Sequence, residues 1–262
     1  MGKHLEMIST EYLETYIKKC KVNWFDVFQK LRLKSDFTKE DFNYYVLVSS
    51  FYSSKIEGNK LDMDSFFTKR KISRFNKGKD FTEIENLAKA YRFASVNKLN
   101  KANLLKSHKI LSKTLITDKG VIRNHEEWVI DKASGKPAYL AVEPEFVKKE
   151  FNKLFTDINE LMKRELSHKE VFYYASMIHL WFVKIHPFGD GNGRVARLLE
   201  KWFIVSKLGM SGWSIRSEKY YYDHRPDYYE NVALGYNYYV FHWDRCMPFL
   251  LMLPEALKQS LK

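Results

Sequence analysis

The side chains best suited to chemistry stand together in one run, His186-Pro187-Phe188-Gly189-Asp190-Gly191-Asn192-Gly193-Arg194-Val195-Ala196-Arg197. Gly189, Gly191 and Gly193 let backbone N–H groups approach a ligand closely and converge on an anion. The same residues open a helix, whose first turn carries unpaired N–H donors and a partial positive charge. Such an opening suits phosphate. Arg194 and Arg197 are one turn apart, at i and i+3, so two guanidinium forks reach the same side of it. Asp190 would repel those phosphates unless a Mg2+ ion lay between, which makes it the candidate metal ligand. His186, just ahead of the turn, is placed to act as a general base. Each residue has a plainer reading by itself. A Gly-Asn-Gly turn can be only a turn, arginines at a helix start are often solvated, and a histidine is more often satisfied core. Held jointly in so short a run, the plain readings need several coincidences, and the catalytic one is preferred.

Two helices must bring this turn into place. Ala175, Ile178, His179, Phe182 and Ile185 recur at helical spacing with Trp181 beside them, which predicts a helix over 169–185, buried on much of its surface. A second apolar helix follows over about 194–205. Helical patterns also cover 9–19, 38–56, 81–96, 102–115, 145–161 and 249–261. Thr38 is a candidate N-cap with Asp41 three residues on, and Gly58-Asn59 should stop that helix. Between 120 and 139, Val121, Ile122, Trp128, Val129 and Ile130 precede Ser134-Gly135-Lys136-Pro137, the pattern of a short hairpin. A two-stranded hairpin is marginal alone, so it should lie over something. His179 lies seven residues before His186, about 10 Å along a helix axis, which is poor metal geometry. Core packing is the preferred reading for His179 and for His108.

With only 6 prolines and 11 glycines, and no repeat or long linker, the chain reads as mainly α with one hairpin, packed as one unit. Its 44 basic against 32 acidic residues give +12, which favours polyanions such as a nucleoside triphosphate. The densest basic run, Lys69, Arg70, Lys71, Arg74, Lys77 and Lys79, has no zinc spacing and no groove-reading helix, so a solvated loop is preferred over a nucleic-acid surface. No stretch approaches the roughly 20 apolar residues of a membrane span, and the first twenty residues hold no apolar signal core. Cys20 and Cys246 are too few for a disulfide framework, so reduced thiols in a cytoplasmic protein are expected.

The run 186–197 matches the signature His-x-Phe-x-(Asp or Glu)-Gly-Asn-Gly-Arg-x-x-Arg, and on it the chain resembles the Fic family of protein adenylyltransferases over about residues 40–250. The resemblance implies a Fic-type helical domain whose hairpin is a flap, with an N-terminal region over 1–100 and the catalytic core over 101–262. It implies that His186 takes the proton from a Ser, Thr or Tyr hydroxyl of a target protein, which then attacks the α-phosphorus of ATP and releases pyrophosphate. By the same likeness Asp190 holds Mg2+, Gly191, Asn192, Gly193 and Arg194 stabilise phosphate charge, and Arg197 holds the γ-phosphate. Phe188 packs in the core and aims the base. Gly120-Val121-Ile122-Arg123 resembles the approach to the flap, and Trp128, Val129 and Ile130 its target-docking strand. Tyr228 and Tyr229 resemble a pair that borders the adenine, whereas Tyr236 stands where the family has asparagine and Asn237 follows it.

Upstream, Ser53-Ser54-Lys55-Ile56-Glu57-Gly58 fits the family's inhibitory pattern, (Ser or Thr)-x-x-x-Glu-(Gly or Asn), so Ser53, Glu57 and Gly58 are implied to form a brake N-terminal to the core. Three outcomes stay open: an AMP transferase held in check by Glu57, an enzyme using the same site to remove AMP, and a binding module without catalysis. Intact His186 and Asp190 argue against the last. The expected partners are ATP and a hydroxyl-bearing protein, with self-association left open.

Overall fold

Helices at both ends of the glycine turn set the architecture, and the first of them begins at a reciprocal cap. Ser167 Oγ accepts from the Glu170 N–H, while the Glu170 carboxylate accepts from the Ser167 N–H at 2.8 Å. The computed structural model describes residues 4–24, 27, 37–72, 78–130, 135 and 137–260. Among these the chain forms eleven α-helices and one antiparallel hairpin. In order they are α1 (Leu13–Lys19), α2 (Lys39–Ile56), α3 (Met63–Lys71), α4 (Lys79–Ser95), α5 (Lys101–Leu111), β1 (Trp128–Ile130), β2 (Pro137–Leu140), α6 (Pro144–Lys163), α7 (His168–Ile185), α8 (Asn192–Leu208), α9 (Ser217–Asp223), α10 (Arg225–Val232) and α11 (Met247–Gln259). Helix α7 packs most extensively on α8, and α2 on α4. Phe172, Phe182, Phe188 and Trp202 fill a core that also takes in Ile8 near one end of the chain and Leu257 near the other. The N-terminal stretch is tied down by one buried carboxylate. Asp157 of α6 accepts from the N–H groups of Glu6, Met7 and Ile8 at 2.7, 2.8 and 2.9 Å.

The mainly helical fold with its hairpin is as the sequence predicts, and α2 carries the expected start. Thr38 Oγ1 accepts from the Asp41 N–H at 3.0 Å while Asp41 Oδ2 accepts from the Thr38 N–H at 3.0 Å. Helix α2 ends at Ile56 with Gly58 at φ +97°. Other expectations need correction. The helix predicted over 102–115 stops at Leu111, where Ser112 bonds back to the His108 ring and Thr114 turns left-handed at φ +66°. Val121 and Ile122 lie outside the strands, because the chain there runs toward the glycine turn and Arg123 donates its N–H to the Pro187 carbonyl at 3.0 Å. Lys69, Arg70 and Lys71 form the last turn of α3 and Lys79 opens α4, so this part of the basic run is helix end rather than loop. Arg74 and Lys77 lie outside the described residues, as do Ser134 and Lys136 of the hairpin turn. Helices α3, α9 and α10 were not legible from apolar spacing, although Asp62 caps α3 by accepting from Ser65 N–H at 2.8 Å.

The hairpin does lie over something. Tyr139 is buried, its hydroxyl donates to the Lys184 carbonyl of α7 at 2.8 Å, and the Lys184 ammonium stands 4.5 Å from its ring centre.

Candidate functional site

The turn between α7 and α8 is built from inside. Gly191 takes φ +85°, a left-handed conformation that lets α8 begin at Asn192. The Asn192 side chain then closes the turn on itself. Its Nδ2 donates to the Phe188 carbonyl at 2.6 Å and its Oδ1 accepts from the Phe188 N–H at 3.0 Å. Phe188 stacks on His108, with ring centres 3.7 Å apart. The His108 ring accepts from the Gly120 N–H at Nδ1 (2.9 Å), so its proton sits on Nε2, within 3.0 Å of the Asp190 carbonyl. Burial lowers the His108 pKa to about 4, so it stays a neutral donor. Nothing in the sequence marked this histidine as a support of the turn; its spacing from residue 190 gives no signal.

His186 caps α7 in the left-handed region at φ +51°, uncommon for a residue with a side chain and more tolerated by histidine than by most. Its Nδ1 lies 3.1 Å from the Val183 carbonyl. A carbonyl can only accept, so Nδ1 carries the proton and Nε2 keeps its lone pair. Burial lowers its pKa to about 4, which keeps that lone pair available. Arg123 holds the conformation. Its guanidinium donates to the carbonyls of His186 (2.7 Å), His125 (2.7 Å) and Val142, and the side chain is buried. The role of Arg123 was not legible in the sequence beyond its place before the hairpin.

Both arginines of the turn are engaged by acids from the N-terminal half. Arg197 is fully buried and donates through Nε to Ser53 Oγ (2.8 Å) and through Nη2 to the Ser53 carbonyl (2.9 Å) and Glu57 Oε1 (2.8 Å). The Glu57 carboxylate also rests on the first turn of α8, where a Cβ added at Gly193 would collide with Oε1. It occupies the place where an anion binds a helix N-terminus. Arg194 pairs with Asp190 at 2.9 Å and with Glu83 of α4 at 3.3 Å. Glu83 also accepts from the Ser54 hydroxyl, so it links Arg194 to helix α2. A glutamate in the middle of an amphipathic helix carried no sequence signal for this.

The residues suit a bound nucleoside triphosphate with Mg2+. Glycine turn, helix opening and two buried arginines converge, and the buried Nε of Arg194 has no partner among the described residues. Asp190 is a single exposed carboxylate, and no described cluster of three His, Cys, Asp or Glu could hold a metal. One carboxylate is the expected protein share for an ion held mainly through phosphates. Tyr228 is buried, with its hydroxyl between His179 and Arg197, and so does not present a face to an adenine; Tyr229 is 38% exposed and bonds the Ile56 carbonyl at 2.9 Å. His179 is core, as expected, but hydrogen-bonded at both nitrogens.

The segment leading into the hairpin meets the turn from the side, where His125 lies 3.2 Å from a Cβ placed on Gly189. Strand β2 uses its far edge elsewhere: the Leu140 N–H donates to the Tyr236 carbonyl and its carbonyl accepts from the Tyr238 N–H. Leu140 opposes Trp128. Opposed antiparallel residues either exchange both hydrogen bonds or neither, so the Trp128 backbone points away from β2, along the edge of β1. No described segment pairs with that edge. Trp128 and Ile130 are 48% and 46% exposed beside it.

Residues 98–204 match the model of the Fic/DOC family. A protein adenylyltransferase Fic from Nematostella vectensis is 28% identical over 190 residues, which is 69% of this chain. The chain spans only 41% of that relative's length. A solved Fic family protein from Desulfovibrio desulfuricans G20 superposes with a TM-score of 0.73 at 18% identity, covering 99% of this chain and 75% of that one. A Fic domain containing signaling protein from Bacteroides thetaiotaomicron VPI-5482 gives 0.71 at 19% identity, covering 92% and 95%. At such identities the two structures establish a shared fold.

Proposed function

With residues 98–204 forming a Fic domain, we propose that the protein transfers AMP from ATP to a Ser, Thr or Tyr hydroxyl of a target protein and is restrained by Glu57. The observation that carries the reading is the Glu57 carboxylate lodged against Gly193 and paired with Arg197, an anion of the chain's own in an anion site. In this reading residues 1–100 form the regulatory region and 101–262 the catalytic core, packed as one unit.

The chemistry follows from the site. His186 Nε2 accepts the hydroxyl proton as the target oxygen bonds to the α-phosphorus. The bond from that phosphorus to the bridging oxygen breaks in line, and pyrophosphate carries off its electron pair. A Mg2+ ion held by Asp190 would neutralise charge on the phosphates. The N–H groups opening α8 and the Arg194 and Arg197 guanidiniums stabilise the rest, so catalysis is positioning and charge stabilisation. Incubation with a candidate target and α-labelled or γ-labelled ATP tests the reaction: label should enter protein from the α-position only. Label entering from the γ-position would make the enzyme a kinase instead.

The free edge of β1 supplies the target's place, with an extended target segment adding a strand there. Because the Trp128 N–H faces outward, Trp128→Pro removes a donor from that edge without touching the hairpin's own ladder. Modification of an external target should fall several-fold below that of a Trp128→Ala control, with MgATP affinity equal in both. Equal target modification by the two variants would exclude strand addition at this position.

A further inference from the structure

Behind the arginine that closes the site lies a hydrogen-bonded chain that the proposed chemistry does not use. Arg197 Nη1 donates to the Tyr228 hydroxyl at 3.2 Å, and that hydroxyl lies 3.0 Å from His179 Nε2. His179 Nδ1 is 2.8 Å from Glu200 Oε2, which also accepts from the Tyr221 hydroxyl at 2.9 Å. Arg197, His179, Glu200 and Tyr221 are fully buried, and Tyr228 nearly so.

One set of proton directions gives each member of the chain a complementary partner. A guanidinium only donates, so Tyr228 accepts from Arg197 and its single proton goes to His179 Nε2. His179 then carries its proton on Nδ1 and donates it to Glu200. The chain runs one way, from the buried Arg197 guanidinium through Tyr228 and His179 to Glu200. A buried guanidinium needs fixed acceptors, and an isolated buried carboxylate needs donors. Helix α2 supplies the acceptors on the other side of Arg197, through Ser53 and Glu57. Those lie at the end of the helix whose Glu57 must give way before Arg197 can take a γ-phosphate; the Tyr228 contact comes from the core.

We infer that His179 is a positioning residue, holding Tyr228 and through it the Arg197 fork so that the arginine meets the terminal phosphate of the nucleotide. The inference rests on the reading of Arg197 as the γ-phosphate ligand. It makes His179 one part of the discrimination between a nucleoside triphosphate and a diphosphate. Glu200 orients the imidazole, as a carboxylate behind a functional histidine does elsewhere, although here the histidine faces a tyrosine rather than the substrate.

The test uses the full chain carrying Glu57→Gly, so that the arginine is free, and measures the dissociation constants of MgATP and MgADP by calorimetry. Further substitution of His179→Phe or Tyr228→Phe should reduce the preference for MgATP over MgADP by about tenfold, the effect of a misplaced charge-assisted hydrogen bond. MgADP affinity should change less than about twofold. His179→Gln, whose amide can donate toward Glu200 and accept from Tyr228, should restore most of the preference. Thermal unfolding identifies a variant that does not fold, and Tyr228→Phe, which removes a single oxygen, decides the matter if His179→Phe is lost that way. Equal weakening of both nucleotides, or an unchanged preference, in the folded variants overturns the inference. Arg197→Ala in the same background separates the two levels: if it keeps the preference for MgATP, the assignment of Arg197 to the γ-phosphate fails, whereas loss of preference there but not in the His179 and Tyr228 variants refutes the inference alone.

Discussion

His186→Ala should bring AMP transfer down by a factor on the order of 10²–10⁴, the contribution of a positioned general base, while MgATP still binds. The two effects separate because different atoms carry them. In the proposed reaction, binding rests on the N–H groups opening α8 and on Arg194 and Arg197, whereas His186 contributes one lone pair at Nε2. Its left-handed backbone is held by Arg123 through the His186 carbonyl, a contact that alanine keeps. His186→Asn, a residue tolerant of that conformation, controls for any backbone strain. The same geometry sets a pH dependence. Burial lowers the imidazole pKa to about 4, so the neutral base persists from neutrality down to near that value, and kcat/KM should fall only as pH drops below the usual histidine value toward it. An acid limb centred at or above pH 6.5 that disappears in a residually active variant would contradict the environment assigned to His186. Undiminished labelling by His186→Ala would remove it from the mechanism altogether.

The turn was legible because its chemistry is local. Glycines, an asparagine, two arginines and a histidine stand in one run, and their spacing alone brings them to one helix opening. Helices α2 and α7 were legible for a similar reason, since Thr38 with Asp41 and the apolar spacing of 175–185 are short-range signals. What the sequence hid is contact at a distance. His108 supports Asp190 from 82 residues away and Glu83 reaches Arg194 from another helix. No periodicity encodes such pairs, because each depends on how two helices pack. Tyr228 shows the converse hazard. The pair Tyr228-Tyr229 resembles one that borders an adenine, yet burial turns Tyr228 inward and gives its hydroxyl to Arg197 and His179. The short helices α3, α9 and α10 escaped because they bury few residues each and carry little amphipathic period to read.

Glu57→Gly should accelerate AMP transfer at least about tenfold over the unsubstituted chain, and the argument runs through competition for one guanidinium. Arg197 Nη2 already donates to Glu57 Oε1 and to the Ser53 carbonyl, with Nε on Ser53 Oγ, so it has no spare fork for a γ-phosphate while Glu57 stays. The carboxylate also lies against Gly193, where the first N–H groups of α8 would otherwise face phosphate. ATP bound beside it meets a like charge, which turns the α-phosphorus away from in-line attack. A loss of about 1.4 kcal/mol in transition-state positioning already slows the step tenfold, and a misaligned phosphate loses more. Glycine removes the competing acid without adding bulk. Glu57 is the cap residue, one past Ile56, so the intrinsic cost of glycine within a helix, about 1 kcal/mol, is only partly felt. Initial rates of α-label transfer to protein, at saturating MgATP, read the gain directly. Adding Arg197→Ala to Glu57→Gly should abolish it, because the freed guanidinium is what the substitution provides. If Glu57→Gly transfers AMP no faster, while the unsubstituted chain alone strips AMP from a premodified protein, then Glu57 serves removal of AMP by orienting a water, and the brake gives way to the reverse reaction.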